Sequence, residues 1–283
     1  MESMDPFEGF RQGWRALLLI TTCFAGVTAS ASSAEGGLCG RSHSQILSQF
    51  EDPSHRIAFK NHGGLFNGGV CWWHSRLQRS SIYLAQYSPE QPKPTLQEAR
   101  DLIDHLIRMD SVVSIPGYRN FREFSLDFRP LIQESLNEWQ IRDGFLYQQW
   151  TRGLYGRSRL SAKGLKARMK KIFSRFKRSK PGLWVMAQHP GITSHALLVI
   201  GMTPTANGFR LRAIDSNLPQ GIREIEYQSG HHSLQLAGDP FIPYAGFESD
   251  ERKITRVLNR HCSGERTPPL ESDVTVDAVQ VFE

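Results

Sequence analysis

The chain contains no apolar stretch of the roughly 18 to 20 residues that crossing a bilayer requires. Its longest run, Ala16–Ala29 (ALLLITTCFAGVTA), has 14 residues. Zinc-finger spacing, an aromatic RNA-binding signature and internal repeats are also missing, so no nucleic-acid module is expected. Cysteine is scarce, at four in 283 residues. A hydrophobic share of 39% and an aromatic share of 10% are enough for one substantial core and fall short of requiring two full domains.

The amino terminus explains the single apolar run. Arg11 and Arg15 precede it, and SASSAEGG follows, where both Ala29-Ser-Ala31 and Ser32-Ser-Ala34 suit a small-residue cleavage rule. Residues 1–34 are therefore expected to be a secretory signal, with the remainder secreted or periplasmic; acylation of Cys23 is an alternative reading. Taking the two basic and three acidic residues of 1–34 away from 34 basic and 28 acidic leaves 32 and 25, a charge of +7. Lys163 to Lys180 holds nine of the basic residues and no acid, with Leu165, Met169, Ile172, Phe173 and Phe176 at helical spacing. Such a helix could touch an anionic surface (lipid, cell-wall polymer or acidic protein), or be the solvated face of a helix packed on the core.

Three cysteines follow the leader: Cys39, Cys71 and Cys262. In an oxidising compartment cysteines tend to pair, and an odd one is a candidate reactive thiol. Cys39 and Cys262 lie at the two ends of the expected domain, residues 35–262, where chain ends often come close together. Pairing them leaves Cys71. Beyond them, Pro268-Pro269 and five acids mark 263–283 as a poorly ordered acidic tail.

Periodicity changes once along the chain. From about Ser44 to Lys180 it is mostly helical. Trp73, Leu77, Leu84 and Tyr87 share a face after Cys71, which SPEQPKP closes at Ser88. Thr95 with Glu98 forms a capping box before a face of Leu96, Ala99, Ile103, Leu106 and Ile107, and a third helix is expected from Pro130 towards Gln149. From Gly182 the segments LWVMAQ, SHALLVIGM, FRLRAID and REIEYQ read as strands, with Asn207-Gly208 as a hairpin turn. The expected class is α+β, a helical first half carrying Cys71 and an antiparallel sheet in the second.

NGGVCWWHSRLQR, residues 67–79, sets Cys71 at a helix start, where the helix dipole favours the thiolate. A free thiol with a pKa near 8.5 is mostly protonated at neutral pH, so a catalytic one needs a neighbouring imidazolium, a helix N-terminus, or both. His195 begins one strand and Asp215 ends the next, at matching distances from the turn near residue 205. They can therefore meet across the ladder, Asp215 holding one imidazole nitrogen while the other faces the thiol. Asn217, two residues further on, is the alternative orienter.

Gly-Val-Cys-Trp at 69–72 opening a helix, SHALLVIG with His195 at the head of a strand, and Asp-Ser-Asn at 215–217 ending the next resemble the papain-like cysteine proteases, in particular bacterial secreted members with a Cys-His-Asp triad. The resemblance implies a papain-like fold over roughly residues 40–262, cleavage of amide bonds in a protein or peptide substrate, and no cofactor. Two features depart from it. Papain carries an oxyanion-hole glutamine shortly before its cysteine, where this chain has Leu65; Asn67, Asn61 and Gln49 are the nearest amides, and Asn67 is the expected donor beside the Cys71 backbone N–H. The tryptophan that papain carries soon after its asparagine is absent from DSNLPQG.

Plainer readings compete: Cys71 as an inert buried thiol, His195 as a core histidine, or Cys71-x-x-His74 as half a metal site with His231, His232 or His261, although no second ligand pair has finger-like spacing. The same triad also serves a transglutaminase-like acyltransferase or a cell-wall peptide amidase, and a non-catalytic binding protein could retain the fold.

Overall fold

A computed structural model of the chain describes residues 37–64, 69–147, 159–191, 193–246 and 248–264. The leader read over residues 1–34 and the tail beyond Gly264 lie outside them. All the described residues belong to one unit, Gly36–Glu283.

Helix α1 (His43–Glu51) opens on a capping box in which Ser42 and Gln45 satisfy each other's backbone amides, and a 3-10 turn follows at Pro53–His55. Helix α2 (Cys71–Leu84) begins at the cysteine and buries Leu77, Tyr83 and Leu84. Its apolar repeat predicts a helix running to Ser88, but the chain leaves the helix four residues earlier. Ala85–Ser88 is strand β1, followed by α3 (Leu96–Arg108) and by β2 (Val113–Pro116), which pairs with β1 in parallel. Four residues fit either period, and the ladder to Val113–Pro116 decides between them. Helix α3 starts at the Thr95–Glu98 capping box and buries Ala99, Ile103, Leu106 and Ile107. Leu96, expected on that face, is instead exposed, because the first helical position precedes the packed turns. A short helix α4 (Phe121–Asp127), capped by Asn120, precedes α5 (Arg129–Tyr147), which follows the expected third helix.

The basic segment forms α6 (Ala162–Arg178), capped by Ser161 and burying Leu165, Met169 and Ile172. Six strands follow: β3 (Leu183–Gln188), β4 (Ser194–Thr205), β5 (Gly208–Asp215), β6 (Leu218–Gln228), β7 (Leu234–Leu236) and β8 (Asp239–Ala245). Helix α7 (Glu248–Ser263) ends the described unit and takes in Ser263, where the sequence pattern begins the tail. The six strands form one sheet in the order β6-β5-β4-β3-β8-β7, antiparallel throughout. It curls into a near-barrel, with β6 approaching β7. The architecture is therefore mixed α and β, with an antiparallel sheet in the carboxy-terminal half.

Strand β4 is apolar at every position from Ala196 to Ile200 because both its faces are covered. Ala196, Leu198 and Ile200 join the core of α1 to α5, whereas Leu197 and Val199 join the core beneath α6. Cys39 and Cys262 form a disulfide with Cα atoms 5.6 Å apart, which leaves Cys71 as the free cysteine among the described residues. Among those residues no helix is long and apolar enough to cross a membrane.

Candidate active site

The cysteine is set by the loop in front of it. Gly69 has φ +84°, and a Cβ there would collide with the Asn61 side chain, so both conformation and space call for glycine. Val70, the N-cap of α2, has no side chain with which to cap the helix, so the first-turn amides around Cys71 receive no side-chain cap. The loop is fastened from α5 by three amide side chains one turn apart. Gln133 Nε2 donates to the His62 carbonyl at 2.9 Å, Asn137 Oδ1 accepts from Gly64 N–H at 3.0 Å, and Gln140 Nε2 donates to the Gly69 carbonyl at 2.9 Å. Asn61 adds a fourth tie: its Oδ1 accepts from Val70 N–H at 2.6 Å, while its Nδ2 donates to Asn217 Oδ1 at 3.1 Å. Its backbone N–H donates to the Ser216 carbonyl at 2.7 Å. One asparagine thus joins the cysteine loop to the turn that follows β5.

Across from α2, the start of β4 brings up the histidine. Cys71 Sγ lies 3.9 Å from the Ser194 carbonyl, one residue before His195. His195 and Asp215 are buried, 7% and 2% exposed, and His195 Nε2 meets Asp215 Oδ1 at 2.7 Å. The ladder places Leu197 opposite Asp215, so His195 is the diagonal neighbour, two residues along the strand. With Nε2 engaged by the carboxylate, Nδ1 is the ring nitrogen left for the thiol.

Asp215 carries further support. Its Oδ1 accepts from Asn217 N–H at 2.8 Å and its Oδ2 from Arg223 Nε at 3.0 Å. Burial works against its charge, but the His195 hydrogen bond, the imidazolium charge, the Asn217 amide and Arg223 prevail and hold it down to about 2. For His195, burial opposes protonation, and the hydrogen bonds and charges of Asp215 and Cys71 overcome it, raising the imidazole to about 10. At neutral pH the pair is an imidazolium on a carboxylate. On the same helix, His74 behaves oppositely: burial, with the charge of His195 and His62, lowers it to about 4, and its Nε2–H donates to the Phe59 carbonyl at 3.0 Å.

The structure brings Cys71, His195 and Asp215 together. Asn217 stands beside them, but its amide side chain is on Asn61 and only its backbone touches the acid. Asn67 and Leu65 lie outside the described residues, and Gln49 is engaged elsewhere, accepting from Arg41 at 2.6 Å. His74 is directed to Phe59, His232 Nδ1 lies 2.8 Å from the Leu160 carbonyl, and among the described residues no group of three or more His, Cys, Asp or Glu could hold a metal ion. Trp72 packs edge-on against Trp184 of β3, ring centroids 5.4 Å apart, which ties the helix start to the sheet.

Sequence reasoning missed the α5 amides and Gln188. The latter, paired with Ser194 across the ladder, gives its Nε2 to the carbonyls of His189, Gly191 and Thr193 and so shapes the turn that delivers His195. The α5 amides were open to detection: Gln133, Asn137 and Gln140 recur at i, i+4 and i+7, a stripe that a purely solvated face has no reason to keep. Comparison of the chain with protein-family models, curated proteins and solved structures found no match.

Proposed function

We propose that the protein is a thiol hydrolase of the papain-like kind that cleaves amide or peptide bonds in a protein or peptide substrate. The observation that carries this reading is the convergence of a free cysteine at a helix start, a histidine and a buried carboxylate from α2, β4 and β5. A histidine kept charged by its acid stabilises Cys71 as the thiolate and can give its proton to a leaving group.

In this mechanism Cys71 and His195 stand as a thiolate–imidazolium pair, the thiol proton already on His195, and the sulfur attacks the amide carbonyl carbon. The Cys71 N–H, with a nearby amide for which Asn67 is the candidate, holds the oxyanion. Collapse expels the amine, which takes its proton from His195, and leaves a thioester on Cys71. Water, deprotonated by His195, attacks the thioester, and the acid product leaves as the thiol re-forms. The disulfide supports an oxidising compartment and hence a secreted or periplasmic setting.

The test is alkylation of the protein by iodoacetamide and by a peptide-like electrophile across pH 5 to 9, with mass mapping of the modified residue. Label is expected on Cys71 with a rate already high near pH 6, collapsing in His195→Gln to the profile of an ordinary thiol. Cys71→Ala should fold normally, take no label and cleave no peptide. Labelling of the wild type only above about pH 8 would reject catalysis and leave a binding protein of the same fold. A cleaved peptide library separates hydrolysis from transfer of the acyl group to an amine.

A further inference from the structure

A wide cleft lies away from Cys71, between the carboxy-terminal end of α6 and the length of α7. Its volume is about 800 Å³, and five arginines line it: Arg175 and Arg178 from α6, and Arg252, Arg256 and Arg260 from α7. Glu251 is the single acid on its wall, and that carboxylate is already committed, accepting from Lys180 N–H at 3.1 Å and facing Arg79 Nη2 at 3.6 Å. The three α7 arginines stand at i, i+4 and i+8, and among the described residues none of them has a carboxylate within ion-pair distance.

Like charges at i, i+4 repel along a helix, so this stripe opposes the stability of α7. The helix dipole accounts for part of it, since cations near carboxy-terminal ends, such as Arg178 and Arg260, are favoured there. It does not account for Arg252, five residues into α7, nor for the fact that two helices turn their arginines to the same hollow. Guanidinium groups that converge on a concave site, the three of α7 with no carboxylate among the described residues within ion-pair distance, match phosphate, whose oxygens accept paired N–H donors from several directions. A planar bilayer reaches a hollow less readily than a compact ligand does.

We propose that the α6–α7 cleft binds a compact, multiply phosphorylated anion, either a soluble polyphosphate or the headgroup of a phosphorylated lipid. Helix α7 is clamped to α2 by Arg76, whose Nε and Nη2 donate to Asp250 at 2.8 and 3.1 Å, one and a half turns beyond Cys71. The ligand would therefore brace the helix that carries the thiol, whether or not that thiol is catalytic.

Calorimetric titration of the full chain with inorganic tripolyphosphate, at fixed ionic strength, tests the proposal. One saturable site is expected, weakening as salt rises. Arg252→Gln and Arg256→Gln should each weaken binding about fivefold, and the triple change R252Q/R256Q/R260Q more than fiftyfold. K163Q/K166Q/K170Q removes the same charge from exposed positions of α6 and should change it less than twofold. Vesicles of phosphatidylcholine with a phosphatidylinositol bisphosphate distinguish the sources: co-sedimentation that tripolyphosphate abolishes means a headgroup, and tripolyphosphate binding without co-sedimentation means a soluble ligand. No saturable binding in either arm, or equal loss in the α6 lysine variant, overturns the site; if the triple variant fails to fold, the two single variants decide.

Discussion

At the scale of single residues, the contrast between Asp215 and Asn217 is the sharpest test of the proposed chemistry. The carboxylate holds His195 directly, whereas the Asn217 side chain is turned to Asn61 and contributes to the acid only a backbone N–H that any residue would supply. Asp215→Ala is expected to lower peptide turnover by about three to four orders of magnitude, as loss of the orienting acid does in other triads. Asn217→Ala should stay within about tenfold of wild type; the reverse order would make the amide the orienter. Acid stability belongs to His74. Its folded value lies below the ordinary 6.5, so the stability it contributes is complete above pH 6.5 and is lost as pH falls through about 4. The difference corresponds to roughly 3 kcal/mol. His74→Gln, which retains a donor for Phe59, should flatten the unfolding midpoint over pH 6.5 to 4, as followed by circular dichroism. The pair His195–Asp215 behaves oppositely at each end: the carboxylate's share is lost only towards pH 2, and the imidazolium's as pH rises through about 10.

At the scale of elements, α5 positions a loop that it does not belong to. Asn137→Ala removes the acceptor for Gly64 N–H at a half-buried site and should cost about 1 kcal/mol in denaturant unfolding. Its effect on Cys71 reactivity should be larger, a slowing of about tenfold or more at pH 6, because small displacements of a nucleophile are costly. Asn137→Asp, which keeps the acceptor, should recover most of the rate; equal losses in both variants would show that the loop does not depend on that hydrogen bond. These elements also show what a sequence reveals. That Cys71, His195 and Asp215 would come together was legible because few residue types carry such chemistry and His195 and Asp215 lie on the two arms of one hairpin. The disulfide was legible from the places of Cys39 and Cys262 at the two ends of the expected domain. The strand Ala85–Ser88 was hidden because its partner, Val113–Pro116, lies across an intervening helix and four residues fit two periods. Asn61 and Gln188 were hidden because an amide's role depends on the backbone groups that the fold brings to it.

At the scale of the whole molecule, the Cys39–Cys262 disulfide closes the unit over a sequence separation of 223. In the chain-entropy model such a closure stabilises by roughly 5 kcal/mol. Reduction should therefore lower the melting temperature markedly, and non-reducing peptide maps should join these two cysteines and leave Cys71 alone; a map joining Cys71 to either one would remove the nucleophile from the proposal. The same bond decides how the protein meets mechanical load. A force applied at the two chain ends runs from Cys39 through sulfur to Cys262, so the sheet and the α2 junction between them bear none of it. Held by its ends in an optical trap, the oxidised protein should release almost no length from the region between the cysteines. The reduced protein should yield roughly 750 Å more, the reach of 223 residues of extended chain. A machine that threads a substrate from either end would have to reduce this bond, or pass a looped double strand, before it could pull the site apart.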